Sequence, residues 1–383
     1  MVASCGSGSG SAEKSTSGIV AHDYAQFAGL ADHTITHGDD CIGDINGDGH
    51  LDVLLNSHTD QWQLLYGTAS GKFVPSRVSI PLHDRHGCVF ADFNGDGLLD
   101  IYFAIGDCKG RICKNPKELW IQRPDHTFVN EAAQWGLTDP GGRGRVPIVV
   151  NANGDKRPDL FTGEEIGVDF PSANKLWINA GTRFVLHSGP PTIEIGNNCS
   201  AAADLTHDGL DDIGVCTPTK GFHLYRAVGK GNYVEDNKSF GIDSFGRRAV
   251  RFADVNHDGW ADFISVNGVG LQVKLNDHGH FTKSAIVVQG DDVRDAAVGD
   301  CDGDGNPDLY VQRYQHPDEI YFGDGRGGFQ AGPIVPKRNG VAESVTVLPH
   351  WHNSRDAFIV NNGYEYSPGT RQLIACDGTR KNT

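Results

Sequence analysis

Apolar residues along this chain come in short runs rather than at helical spacing. One kind of run follows an acidic stretch: Val53-Leu54-Leu55, Ile101-Tyr102-Phe103, Leu160-Phe161, Phe263-Ile264 and Leu309-Tyr310-Val311. A second kind, after a variable loop, leads through a turn to an aromatic. Examples are Leu119-Trp120-Ile121 before Phe128, Leu176-Trp177-Ile178 before Phe184, Leu224-Tyr225 before Tyr233, and Ile320-Tyr321-Phe322 before Phe329. Short runs rich in aromatic and β-branched residues, bounded by Gly, Asn and Asp, read as strands. With one more strand ahead of each acidic stretch, the unit holds four strands in about 50 residues, the content of a propeller blade.

The acidic stretch is itself a repeat. It runs Asp44–Asp52, Asp92–Asp100, Asp204–Asp212, Asp254–Asp262 and Asp300–Asp308, with a weaker copy at Asn151–Asp159. Extending by one period reaches Leu348–Asp356, where only the last Asp survives. Seven repeats predict an all-β, seven-bladed β-propeller over residues 19–383, preceded by a Gly/Ser-rich tail or tether at 1–18. Phe128–Leu137 and Tyr233–Ile242 share an outer-strand pattern, and Ala21–Leu30 carries a looser version of it. The N-terminal strand is therefore expected to complete the last blade and close the ring, since an open ring would leave two sheet edges unpaired.

Composition agrees with this reading. Fifty glycines suit many tight turns, and a single methionine and 38% hydrophobic residues do not suggest a helical protein. The formal charge of −16 disfavours nucleic acid and anionic membranes. No run of eighteen apolar residues occurs, so no transmembrane helix is expected. Nine cysteines point to an oxidising, secreted or extracellular setting. Cys108–Cys113 and Cys199–Cys216 are the favoured pairs; spacing alone cannot assign the others. Met1-Val2-Ala3-Ser4-Cys5 resembles a lipobox, which would make Cys5 a lipid anchor; the alternative is a plain tail.

The Asp-x-Asn-Gly-Asp-Gly-x-x-Asp loops, each followed by an apolar run, resemble the FG-GAP (VCBS) repeats of integrin-α-type propellers. The Asn-x-Leu-Trp-Ile spacing is similar to the cartilage-acidic-protein branch of that family. In each loop, positions one, three, five and nine offer a side-chain oxygen and position seven a backbone carbonyl. Hard oxygens in a curled loop favour Ca2+ over Mg2+. The expected ligands are Asp44, Asn46, Asp48, His50 and Asp52; Asp92, Asn94, Asp96, Leu98 and Asp100; Asp204, Thr206, Asp208, Leu210 and Asp212; Asp254, Asn256, Asp258, Trp260 and Asp262; and Asp300, Asp302, Asp304, Asn306 and Asp308. Asn153, Asp155 and Asp159 make a poorer sixth set, so five or six structural ions are expected. The seventh loop is expected to bind none. Nineteen of the 49 acids lie in these six loops, so the negative charge belongs to one face.

The opposite face is expected to gather Arg85, Arg143, Arg145, Arg247, Arg248, Arg294, Lys337 and Arg338 between blades. Arg313, Tyr314, His316, Glu164, Glu165, Asp169, Tyr364 and Tyr366 would join them from the loops between second and third strands. Arginines suit carboxylate or sulfate through paired hydrogen bonds. Two function classes follow. One is a monomeric binding module for an acidic polysaccharide or an extracellular protein. The other is a polysaccharide lyase, with Arg neutralising a uronate and His83, His86, Tyr314 or His316 moving the proton. A glycoside hydrolase built on Glu164 or Glu165 is less favoured, because it needs a second carboxylate at a set distance. No nucleophile elbow, phosphate loop, dinucleotide fingerprint or HExxH motif is present.

Overall fold

In the computed structural model, seven antiparallel blades follow one another along the chain, six of four strands and a closing one to which the short strand Thr34–Ile35 adds a fifth. The residues described are 18–378, apart from 32, 36–38, 58–60, 107, 110–111, 114–115, 140–141, 165–172, 188–198, 218–220, 243–247, 268, 315, 336–339, 353 and 365–366. Blade one is typical: Cys41–Gly43, Asp52–Leu55, Gln63–Gly67 and Phe73–Pro75 pair in that order. The first strands of blades two to seven begin at Arg85, Gly144, Cys199, Ala249, Val293 and Ser344. First strands of successive blades approach one another, so they line the axis, and fourth strands form the rim.

Seven hydrophobic clusters account for the packing, one between each pair of neighbouring blades. The second strands are the most buried of each blade, and Asp100–Ile105 and Asp262–Asn267 are buried throughout. That continuous burial explains why these runs read as unbroken apolar segments rather than alternating ones. Trp120 and Trp177 lie in these clusters, as core rather than binding platforms.

Closure follows the predicted route. Val20–Asp23 pairs antiparallel with Ser367–Asp377, the third strand of blade seven. A one-turn helix, Ala25–Ala28, ends at Gly29 with φ 82°, a conformation that favours glycine. Gly136 and Gly241 take the same turn in the two matching segments, and Leu30, Leu137 and Ile242 after them are all buried. Among the described residues three disulfides add covalent links. Cys199–Cys216 joins cross-strand partners within blade four, as favoured from the sequence. Cys41–Cys88 ties blade one to blade two, and Cys301–Cys376 ties blade six to the closing blade. Cys108 and Cys113 are register partners in a two-stranded ribbon, their side chains lying outside the described residues.

Candidate functional site

The acidic nonapeptides join first to second strands, so all six lie on one face. Positions four and six both take positive φ: Gly47 and Gly49, Gly95 and Gly97, His207 and Gly209. This curl turns the side chains inward. Asp44 accepts from the backbone N–H of Asp48 (3.0 Å) and Gly49 (2.8 Å), and Asp92, Asp204, Asp254 and Asp300 cap their loops similarly. Where position three is asparagine, its Nδ2 donates to the aspartate at five, as from Asn46 to Asp48 (3.0 Å) and Asn256 to Asp258 (2.8 Å). Loop six has Asp302 there instead. Asp300, Asp302 and Asp304 each place an oxygen within 4.8 Å of the others, a hard-oxygen set that fits a divalent cation.

Position nine is a different kind of residue. Asp52, Asp100, Asp159, Asp212, Asp262 and Asp308 have no solvent exposure. One oxygen of each accepts from the loop, as Asp308 does from Cys301 N (2.9 Å) and Asp302 N (3.3 Å). The other accepts from the third strand, here Gly323 N (2.9 Å). The same two-way tie recurs at Asp52, Asp100, Asp159, Asp212 and Asp262. Burial pushes these carboxyls up, Asp159 to about 6 and Asp308 to about 8, against the opposing pull of the backbone N–H groups.

Two loops depart from the template. In loop three the Arg157 guanidinium lies on the Asp155 carboxylate and its Nε donates to Asn179 O (2.9 Å), so this loop carries its own cation. In blade seven the sequence register was one residue off. Asp356 exchanges bonds with Asp300 (2.9 Å each way), just as Asp211 does with Asn151, so Asp356 occupies position eight. Position nine is Ala357, buried and opposite Leu348, and the buried carboxylate is gone. Adjacent loops also touch: His207 stacks on Trp260 at 3.7 Å, and His257 Nε2 lies 3.2 Å from Asn306 Oδ1.

On the opposite face, residues expected around one ligand fall into two groups. The first spans blades two and three and is largely spent on the fold. Arg85 is fully buried: Nε and Nη2 donate to Glu118 (3.0 and 2.7 Å) and the guanidinium lies 4.7 Å from the Phe103 ring centroid. His83 Nδ1 meets the other Glu118 oxygen at 2.5 Å. His86, 7% exposed, has Nε2 3.0 Å from Asp84 and shares the wall of Gly106 with Arg145. Glu164 is buried against Lys117, whose Nζ also donates to Ile105 O and Gly142 O. Burial raises the Glu164 carboxyl and lowers the Lys117 ammonium, each opposed by the other's charge. A half-buried position is left to Arg143 and Arg145.

The second group lies on blades five and six. Arg313 forks onto Asp292 (2.7 and 3.1 Å) and reaches Glu319 (3.2 Å), while only its backbone N–H meets Asp318. His316 Nδ1 contacts the same Asp292 at 2.6 Å. Arg313 beside it holds the Asp292 carboxyl well below the usual carboxylate range. Arg248 donates to Asp291 O and Val293 O (2.5 and 2.6 Å). The Arg294 guanidinium lies 4.4 Å from the Tyr314 ring centroid, and Tyr314 is 38% exposed. Arg247, Lys337, Arg338, Glu165, Asp169 and Tyr366, with the side chain of Tyr364 and the whole of the Cys5 tail, lie outside the described residues.

Glu118, Lys117 and Asp292 were not singled out from the sequence. One signal was available: an aspartate stands immediately before the first strand of blades one, two and six, at Asp40, Asp84 and Asp292. All three pair with a cationic or imidazole side chain, Asp40 with buried Arg371.

The FG-GAP-like repeat family matches the chain at residues 44–103, 204–265 and 254–311, each stretch running from one acidic loop through its blade and the next acidic loop into the following second strand. The chain thus carries FG-GAP-like repeats in a seven-bladed propeller. No curated protein matches it. Among solved structures, this FG-GAP propeller is similar to a lectin from Burkholderia pseudomallei, with TM-score 0.64, 11% identity, and 91% of this chain and 98% of that one covered. It is also similar to an Agrocybe aegerita lectin described as recognising non-reducing terminal N-acetylglucosamine (TM-score 0.57, 19% identity, coverage 79% and 80%). BBS1N, solved in complex with ARL6DN, is a third (TM-score 0.56, 11% identity, coverage 92% and 98%). At these identities the likeness is one of fold. No helix among the described residues is long and apolar enough to cross a membrane.

Proposed function

We propose that this FG-GAP propeller is an extracellular, calcium-stabilised binding module that takes a glycan on the face opposite its acidic loops. The observation that carries binding over lyase chemistry is the separation of the catalytic candidates. His83 and His86 sit on blade two, engaged by Glu118 and Asp84, while Tyr314 and His316 sit on blade six, which is not its neighbour in the ring. A lyase needs its cation and its proton-transfer groups around one sugar. Two lectins among the similar folds support a carbohydrate, and three disulfides support an oxidising compartment.

The ions belong to the same reading. The acidic loops of blades one, two, four, five and six would hold Ca2+ through positions one, three and five, with the carbonyl at seven. Bound there, the ion supplies positive charge that the crowded carboxylates lack. The loop of blade three has Arg157 in its place.

The test incubates calcium-loaded protein with neutral and uronate-containing oligosaccharides, following binding by calorimetry and unsaturated product by ultraviolet absorbance. Saturable binding without product is the expected result. Product that vanishes in Tyr314→Phe would replace the module with the lyase, and binding only to a protein ligand would replace the glycan.

A further inference from the structure

We infer that Arg294 and Tyr314, at the junction of blades five and six, form a subsite for an anionic substituent of a sugar, a carboxylate or a sulfate ester. The inference rests on the glycan reading above and deepens it. Among the described residues no hydrogen bond or ion pair engages the Arg294 side chain, and its Nε is shielded from solvent with no partner. Among the described residues its guanidinium stacks on Tyr314, 4.4 Å from guanidinium carbon to ring centroid. That stack fixes the plane of the guanidinium and leaves its N–H edge for an acceptor. A planar fork suits a two-oxygen acceptor such as carboxylate or sulfate.

The local charge balance favours the same ligand. Asp292 would be the natural partner for a nearby arginine, but both of its oxygens are taken by Arg313, and one of them also by His316. Arg248 lies close enough for the two like charges to act on each other, and it satisfies its own hydrogen bonds on Asp291 O and Val293 O. Two guanidinium groups therefore share a small region with the carboxylates of Asp291 and Asp292, of which Asp292 is committed to Arg313 and His316. Tyr314 adds ring area at 38% exposure, which a pyranose ring can cover while its acidic group meets Arg294. In blade two the residue that matches Arg294 is His86, buried beside Asp84.

The experiment titrates the calcium-loaded full chain with three probes: a neutral oligosaccharide, a uronate-containing one and a sulfated one. Each is run against wild type, Arg294→Gln, Arg294→Lys and Tyr314→Ala, with melting temperatures confirming that each variant folds. Anionic probes should bind more tightly than the neutral one and weaken with added salt. Arg294→Gln should cost anionic binding about tenfold, the scale of one charge-assisted hydrogen bond, and leave the neutral probe unchanged. Arg294→Lys should recover part of that loss, and Tyr314→Ala should weaken all three probes. The uronate and sulfate arms tell the two sources of negative charge apart. Equal binding of neutral and anionic probes, untouched by Arg294→Gln, overturns this subsite while the glycan reading stands. Silence from every probe overturns both.

Discussion

The strand Val293–Gly299 has an aspartate at each end, and the two solve opposite problems. At one end Asp292 holds Arg313 in a fork and His316 on the same carboxylate, so its charge is met within the fold. At the other end Asp300 crowds with Asp302 and Asp304, oxygens within 4.8 Å, where on the proposed reading a cation from outside would meet them. Seven residues of strand, about 23 Å at the usual rise, separate the two. The lesson extends to the whole ring. Position in a blade sets where carboxylates gather, and the nearest side chain decides whether they need an ion. Loop three makes the same point within one face, since Arg157 on Asp155 turns a copy of the acidic loop into a closed pair.

This contrast can be broken in several ways, the largest effect first. Chelating the calcium-loaded protein should lower its melting temperature by on the order of 10 °C or more, because each lost site gives up about 3 kcal/mol when the ion stood at a hundred times its dissociation constant. An unchanged melting temperature would remove the ions from the acidic loops altogether. Next, Asp308→Ala and Asp159→Ala should each cost about 2–4 kcal/mol by denaturant unfolding in calcium-free buffer, since each strands two or more buried amides. Equal costs in a loop with an arginine and one without would show that position nine acts independently of any ion.

Arg313→Gln should cost about 1–3 kcal/mol at neutral pH, because it leaves Asp292 buried without its principal partner. It should also change the acid limb of stability. The folded Asp292 carboxyl is depressed, so its stabilisation is present above the unfolded value near 4 and is lost as pH falls through the folded value. The variant should lose stability at neutral pH, and its difference from wild type should narrow as pH falls from about 4 towards the depressed folded value, flattening the acid limb; an unaltered pH profile would take Asp292 out of the argument. The smallest effect belongs to Arg157→Gln. That pair is partly exposed, so stability should fall by about 0.5 kcal/mol or less. Its informative readout is stoichiometry: equilibrium dialysis should show one more calcium bound than wild type, and an unchanged count would show that Arg157 is not what keeps the ion out.

Much of the fold was legible because it repeats. Six acidic loops, the apolar runs after them and the closing N-terminal strand all follow from a pattern seen several times over. What was not legible depends on partners distant in sequence. Arg85 and Glu164 have the residue type and loop position of ligand contacts, yet Glu118 and Lys117, 33 and 47 residues away in sequence, bury them. The cystine links Cys41–Cys88 and Cys301–Cys376 cross between blades, so spacing could not choose them. The seventh loop slipped by one residue because a single surviving Asp looks alike at position eight or nine. Only its bond to Asp300 tells which.

The double tie of the ninth aspartate bears on timing as well as strength. With that carboxylate bonded to the third strand, each nonapeptide is ordered when its sheet forms. An arriving cation would meet a loop whose conformational entropy was lost at folding, so little ordering remains to oppose binding. Capture and release would then be exchange with solvent at a shaped rim, with no blade opening. The ring would keep its shape while its ions come and go.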